Sequence, residues 1–153
     1  MFIMKELLKY IPYNKFDLQT LVTEFNLEIF EDTRLFPNVQ PVEPSDLLKT
    51  ILEENVSLAT AINTEKARDE LIIFPILLEV KRRINFQISV FSGKEFNVDF
   101  ERGLNGNPDF LISRNREQFF ITAPVITLVE AKNQDINSGL GQCGAVPDCS
   151  TNI

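Results

Sequence analysis

The hydrophobic period of the chain changes once, at Asn85, and that change limits the folds open to it. Upstream, apolar residues recur at the spacing of a helix face; downstream, they alternate as in half-buried strands. Leu47, Leu48, Ile51 and Leu52 form one stripe behind Ser45, which follows Pro44 and makes a good N-cap. Residues 63–83 read as a long helix capped by Asn63 or Thr64 and kinked at Pro75. It closes on Lys81, Arg82 and Arg83, cations that complement the helix dipole. Beyond Asn85, residues 86–91 and 96–100 alternate around the turn Ser92-Gly93-Lys94-Glu95. Residues 103–107 read as a loop, and 110–113, 118–122 and 125–131 as three further strands. Helices followed by an antiparallel meander define an α+β or mixed α/β domain with helix packed on sheet.

Three segments follow from this pattern. Residues 1–43 are an N-terminal extension and linker, with a helix behind Asp17 (apolar positions 18, 21, 22 and 25) and three prolines within 36–44. Residues 44–143 are the core, and 144–153 are an atypical tail without helical pattern. At 153 residues and 44% hydrophobic, the chain has the size of one domain and can bury a core. No stretch of about 18 apolar residues exists, so no membrane association is expected. The N-terminus lacks a signal-peptide layout, which gives a cytoplasmic expectation. With no histidine, Ser-His-Asp and Cys-His catalysis and His-based zinc sites are excluded. Cys143 and Cys149 read as free thiols, too few for a four-thiolate zinc site. The formal charge of −7 counts against a simple non-specific nucleic-acid binder. It does not exclude a metal-dependent nuclease, whose cation restores local positive potential.

The chemistry-bearing stretch is Pro108-Asp109 at the mouth of one apolar run and Glu130-Ala131-Lys132 at the end of another. Side chains on a strand alternate, so Glu130 and Lys132 share a face and Ala131 points away. If the two runs pair, Asp109, Glu130 and Lys132 meet at one spot that suits a hard divalent cation and its water. The competing reading is a set of strand-end charges in solvent. Glu70 is either a further acid or an exposed helix charge paired with Lys66, and Glu79 is equally ambiguous, with Arg83 four residues on. Gly93-Lys94 lacks the rest of a phosphate loop, and Gly103-x-x-Gly106 opens no helix, so neither is a nucleotide fingerprint. Lys81, Arg82, Arg83, Arg114 and Arg116 could contact phosphates or form solvated faces.

Taken together, Pro108-Asp109 and Glu130-Ala131-Lys132 behind a helix bearing Glu70 resemble the PD-(D/E)XK nuclease superfamily. The wider texture at 65–72, 91–98, 103–110 and 129–143 resembles an uncharacterised, mostly cyanobacterial group within it. The resemblance covers about residues 40–143. It implies a restriction endonuclease-like core, a mixed sheet flanked by helices. It also implies Mg²⁺ (or Mn²⁺ as a substitute) held by Asp109, Glu130 and the Ala131 carbonyl, with Glu70 as a further acid at the metal. Lys132 would orient or activate the attacking water, and Gln142 would be an accessory residue. The implied partner is DNA. Members of the superfamily continue past the position of Cys143 with a helix and further strands, so the tail at 144–153 reads as a C-terminal truncation. The alternative is a catalytically inactive remnant or accessory domain that binds a protein partner or forms a homodimer.

Overall fold

The computed structural model describes residues 17–26, 28–29, 38–99 and 104–132. Helix α1 (Leu18–Phe25) starts at Asp17, whose carboxylate accepts the Thr20 N–H at 2.7 Å, and ends on a left-handed Asn26. Helix α2 (Asp46–Ile62) is capped as expected by Ser45, whose Oγ accepts the Leu48 N–H at 3.2 Å. Its buried side is narrower than the apolar stripe: Leu48 and Ala59 are buried, whereas Leu47 is exposed. Both expected caps at 63 and 64 are used, for different helices. Asn63 closes α2 in the left-handed conformation, and Thr64 Oγ1 accepts the Ala67 N–H to open α3 (Glu65–Arg68).

Helix α3 runs into a π-helical turn (Asp69–Ile73) and on into α4 (Phe74–Arg83). The cause lies at Pro75, which has no N–H to give back along the helix. In a regular helix that would orphan the Leu71 carbonyl; here the Asn55 side chain of α2 donates to it at 2.9 Å. The expected kink is therefore a wider turn whose freed carbonyl is satisfied by the neighbouring helix.

A second polar link joins these helices. Buried Glu79 accepts from the Ser45 N–H (3.1 Å), the Ser45 hydroxyl (2.9 Å) and Arg83 Nε (2.7 Å), and pairs with Arg82. The Arg83 bond, supported by those from Ser45, pushes the Glu79 carboxyl down to about 2, against the effect of burial. Arg83 also donates to the Glu43 carbonyl. Glu79 thus ties the start of α2 to the end of α4.

The strands are β1 (Ser89–Ser92), β2 (Phe96–Asp99), β3 (Leu104–Gly106), β4 (Phe110–Ser113) and β5 (Val125–Val129). They form an antiparallel sheet in the order β1-β4-β5 and a separate β2-β3 hairpin. Three expectations are corrected. Residues 104–106, read as loop, form a strand because β2 supplies its partner. Residues 118–122, read as a strand, form none: Gln118 and Glu117 spend their side chains on backbone groups and fold the segment into an arch. Nor is the sheet a simple meander, since the hairpin is inserted between the neighbours β1 and β4.

Leu77 of α4 packs with Ile88, Val90, Phe110 and Ile112 on one face of the sheet, with Phe74 stacked on Phe110 at 5.9 Å. On the other face, Phe91, Leu111 and Val125 are covered by Phe96 and by Ile121 of the arch. Every residue of β4 is buried, which explains its unbroken apolar run. The turn after α4 holds Asn85 and Phe86 at φ +54° and +56°. A phenylalanine there is strained, and its ring is more exposed than buried. Phe86→Gly is expected to stabilise the chain by about 0.5–1 kcal/mol, read as a higher urea midpoint with unchanged slope.

Candidate functional site

Asp109 is held where two strands of the sheet end. Pro108 before it is fully buried, and the Asp109 carbonyl accepts the Gly93 N–H at 3.0 Å. The β4–β5 register pairs Phe110 with Val129, so one step further places Asp109 opposite Glu130. Asp109 Oδ2 accepts the Ala131 N–H at 2.8 Å, and Asp109 is near enough to bear on the ionisation of Glu130. The two acids therefore lie on one side of the sheet end. Ala131 buries its methyl group, while Lys132 is half-buried and its charge favours ionised Glu130.

The electrostatics follow from crowding. Burial and then the charge of Asp109 push the Glu130 carboxyl up to about 7. Lys132 opposes that rise, and Asp69 adds to it. Asp69, on the π-helical turn, is itself pushed up to about 6, first by burial and then by Asp109. Its Oδ1 is buried with no hydrogen-bond partner among the described residues. Such a group is costly unless something else satisfies it.

The structure therefore brings together Asp109, Glu130, Ala131 and Lys132. It does not bring Glu70 to them: Glu70 is exposed and pairs with Lys66 at 3.4 Å. The helix contributes the preceding acid, Asp69. The signal was present in the spacing, because Asp69, Ile73 and Leu77 follow one another at four-residue intervals along the face that meets the sheet. Gln142, Cys143, Cys149 and the tail at 144–153 lie outside the described residues.

The donor chemistry fits a hard divalent cation. It is oxygen-only, and it contains two carboxyls that repel when both are ionised and a buried carboxylate oxygen without a donor. Among the described residues, no three Asp, Glu or Cys side chains are grouped closely enough to hold a metal by themselves. A cation here would rest on Asp109, Glu130 and a backbone carbonyl. No helix among the described residues is long and apolar enough to cross a membrane. No family model, characterised protein or solved structure matches the chain.

Proposed function

We propose that the chain is a Mg²⁺-dependent nuclease-like protein that hydrolyses DNA phosphodiester bonds on a restriction endonuclease-like core. The observation that carries this reading is the Asp109–Glu130 carboxyl pair with Lys132 two residues on. The element order supports it: a helical segment bearing a buried acid, strand β1, the β2-β3 hairpin, then β4 opened by Asp109 and β5 followed by Glu130 and Lys132. Asp109, Glu130 and the Ala131 carbonyl would hold the cation, with Mn²⁺ as a substitute. When bound, Mg²⁺ polarises a phosphodiester oxygen and lowers the pKa of a bound water. Lys132, with three donors on a flexible stem, orients the attacking water and offsets charge gathering on the phosphate oxygens. Asp69 adds negative charge behind the pair, which strengthens its attraction for a dication.

The test is conversion of supercoiled plasmid to nicked or linear forms. Cleavage is expected with Mg²⁺ or Mn²⁺, not with chelator, and Lys132→Ala should slow it by about 100-fold or more without changing the melting temperature. One observation favours a second reading, an inactive remnant or accessory protein-binding domain of the same fold. The Ala131 N–H already occupies Asp109 Oδ2, and burial and the nearby charge of Asp109 favour protonated Glu130, an arrangement that closes without a cation. A folded wild-type chain that leaves both plasmid and single-stranded circular DNA intact would decide for that reading.

A further inference from the structure

Residues 114–124, between β4 and β5, form an arch that is pinned at many points yet turns two phenyl rings outward. The Arg114 N–H donates to the Pro124 carbonyl at 2.9 Å, and Ser113 Oγ donates to the Thr122 carbonyl. Gln118 Nε2 donates to the Val90 carbonyl at 2.7 Å, and Lys81 Nζ donates to Gln118 Oε1 at 2.6 Å. Inside the arch, Asn115 Oδ1 accepts the Glu117 N–H at 2.9 Å, and Glu117 accepts the Phe119 N–H at 2.8 Å. Phe119 and Phe120 are nonetheless 80% and 70% exposed, with ring centroids 6.5 Å apart. Ile121 next to them is the residue that packs into the core. An ordered loop that offers large apolar rings to solvent marks a contact surface.

The charges around the rings identify the partner. Lys81 is held by the Gln118 amide oxygen, Lys94 by the Phe119 carbonyl at 2.6 Å, and Arg116 by the Gln87 amide oxygen at 3.2 Å. All three acceptors are neutral, so the cationic charge is not cancelled. Elsewhere the pattern differs: Lys49, Lys66, Arg82 and Arg83 each face a carboxylate. Glu117 and Glu95 are the acids nearby, occupied by the Phe119 N–H and by Asn97. Arg116 sits beside Gln87 ahead of β1, and Lys94 lies just beyond the end of β1, so the stripe runs the length of that strand, about 13 Å, and past both its ends. Exposed Phe86 stands at its far end, and the near end adjoins Gly93, which is bonded to Asp109.

We infer that this stripe binds single-stranded DNA, with Phe119 and Phe120 stacking on unpaired bases and Lys81, Lys94 and Arg116 contacting the backbone. Alternating aromatic and cationic groups along one edge suit a flexible polyanion whose bases are free to stack. Paired bases in a duplex offer these rings no face. The inference rests on the nuclease reading and narrows its substrate to DNA with an unpaired strand.

The experiment is fluorescence anisotropy of a labelled short oligothymidylate, in chelator so that no cleavage intervenes. The wild-type chain should bind it more tightly than a duplex of equal length. The double variant Phe119→Ala/Phe120→Ala should weaken binding by about 10- to 100-fold, with an unchanged melting temperature because the rings are exposed. Phe119→Tyr/Phe120→Tyr should retain binding, and Phe119→Leu/Phe120→Leu, apolar without a π-face, should not. Equal binding by the alanine variant, full binding by the leucine variant, or a preference for duplex would each overturn the inference. Plasmid cleavage without oligothymidylate binding would overturn it and leave the nuclease reading standing. Binding with neither plasmid nor single-stranded circular DNA cleaved in Mg²⁺ or Mn²⁺ would support it and remove the nuclease reading.

Discussion

Glu130→Gln is expected to make the chain more stable at about pH 8 and, on the proposed nuclease reading, to abolish cleavage. The folded chain holds the Glu130 carboxyl at about 7 against an ordinary value of 4.5, so the fold favours its protonated form. That contribution is fully present below 4.5 and is lost as pH rises through about 7. Above it, the folded chain carries two ionised carboxyls side by side at a half-buried site. Glutamine keeps the shape, can donate to Asp109 and cannot ionise. The gain at about pH 8 should be about 1–2 kcal/mol, once solvent screening of a half-buried group is allowed for. At about pH 4 it should vanish. Urea unfolding of both proteins at the two pH values checks this. Mg²⁺ should raise the wild-type midpoint at about pH 8 and leave the variant unmoved, because a cation relieves the same repulsion that the substitution removes. Equal stability at both pH values would mean that Asp109 does not crowd Glu130 in solution.

Leu111→Ala should be among the most damaging single changes in the core. Leu111 is 1% exposed, lies in the central strand and packs with Phe91 and Val125. Truncation removes apolar contacts on the face that the arch covers and leaves a cavity that neighbouring strands can only partly collapse. A loss of about 3–5 kcal/mol is expected, against about 5–15 kcal/mol for a whole domain of this kind. It would be read as a large drop in urea midpoint or as failure to accumulate folded protein. Because Asp109 immediately precedes β4, cleavage on the proposed nuclease reading should fall in proportion to the unfolded fraction.

Much of this arrangement was legible before any coordinates. The change of period at Asn85 separates helices from strands, and the unbroken Phe110-Leu111-Ile112 run marks a strand buried on both faces. Strand β5 ends at Val129, short of the Glu130–Lys132 parity, while pairing of β4 with β5 brings Asp109 opposite Glu130. What escaped has specific causes. Glu70 fits the motif order, whereas helix phase, set by Ile73 and Leu77, turns Asp69 inward instead. The run Phe119-Phe120-Ile121 mimics a strand, but Gln118 and Glu117 bond the backbone with their side chains, a competition that hydrophobic pattern does not encode. Leu104-Asn105-Gly106 has weak strand preference and becomes a strand only because β2 lies beside it. Glu79 could have been solvent-exposed. Its burial depends on Ser45, 34 residues away, which no local window contains.

The Gln118 bond to the Val90 carbonyl bears on solubility. Strand β1 is the end of its sheet, and the outward backbone groups of such a strand can recruit a strand from another molecule. By occupying one of those carbonyls from the side, the arch acts as a guard against chain-to-chain growth. Trimming the arch would remove its display of Phe119 and Phe120 and also bare a template for self-association. Its length is therefore constrained from two directions at once.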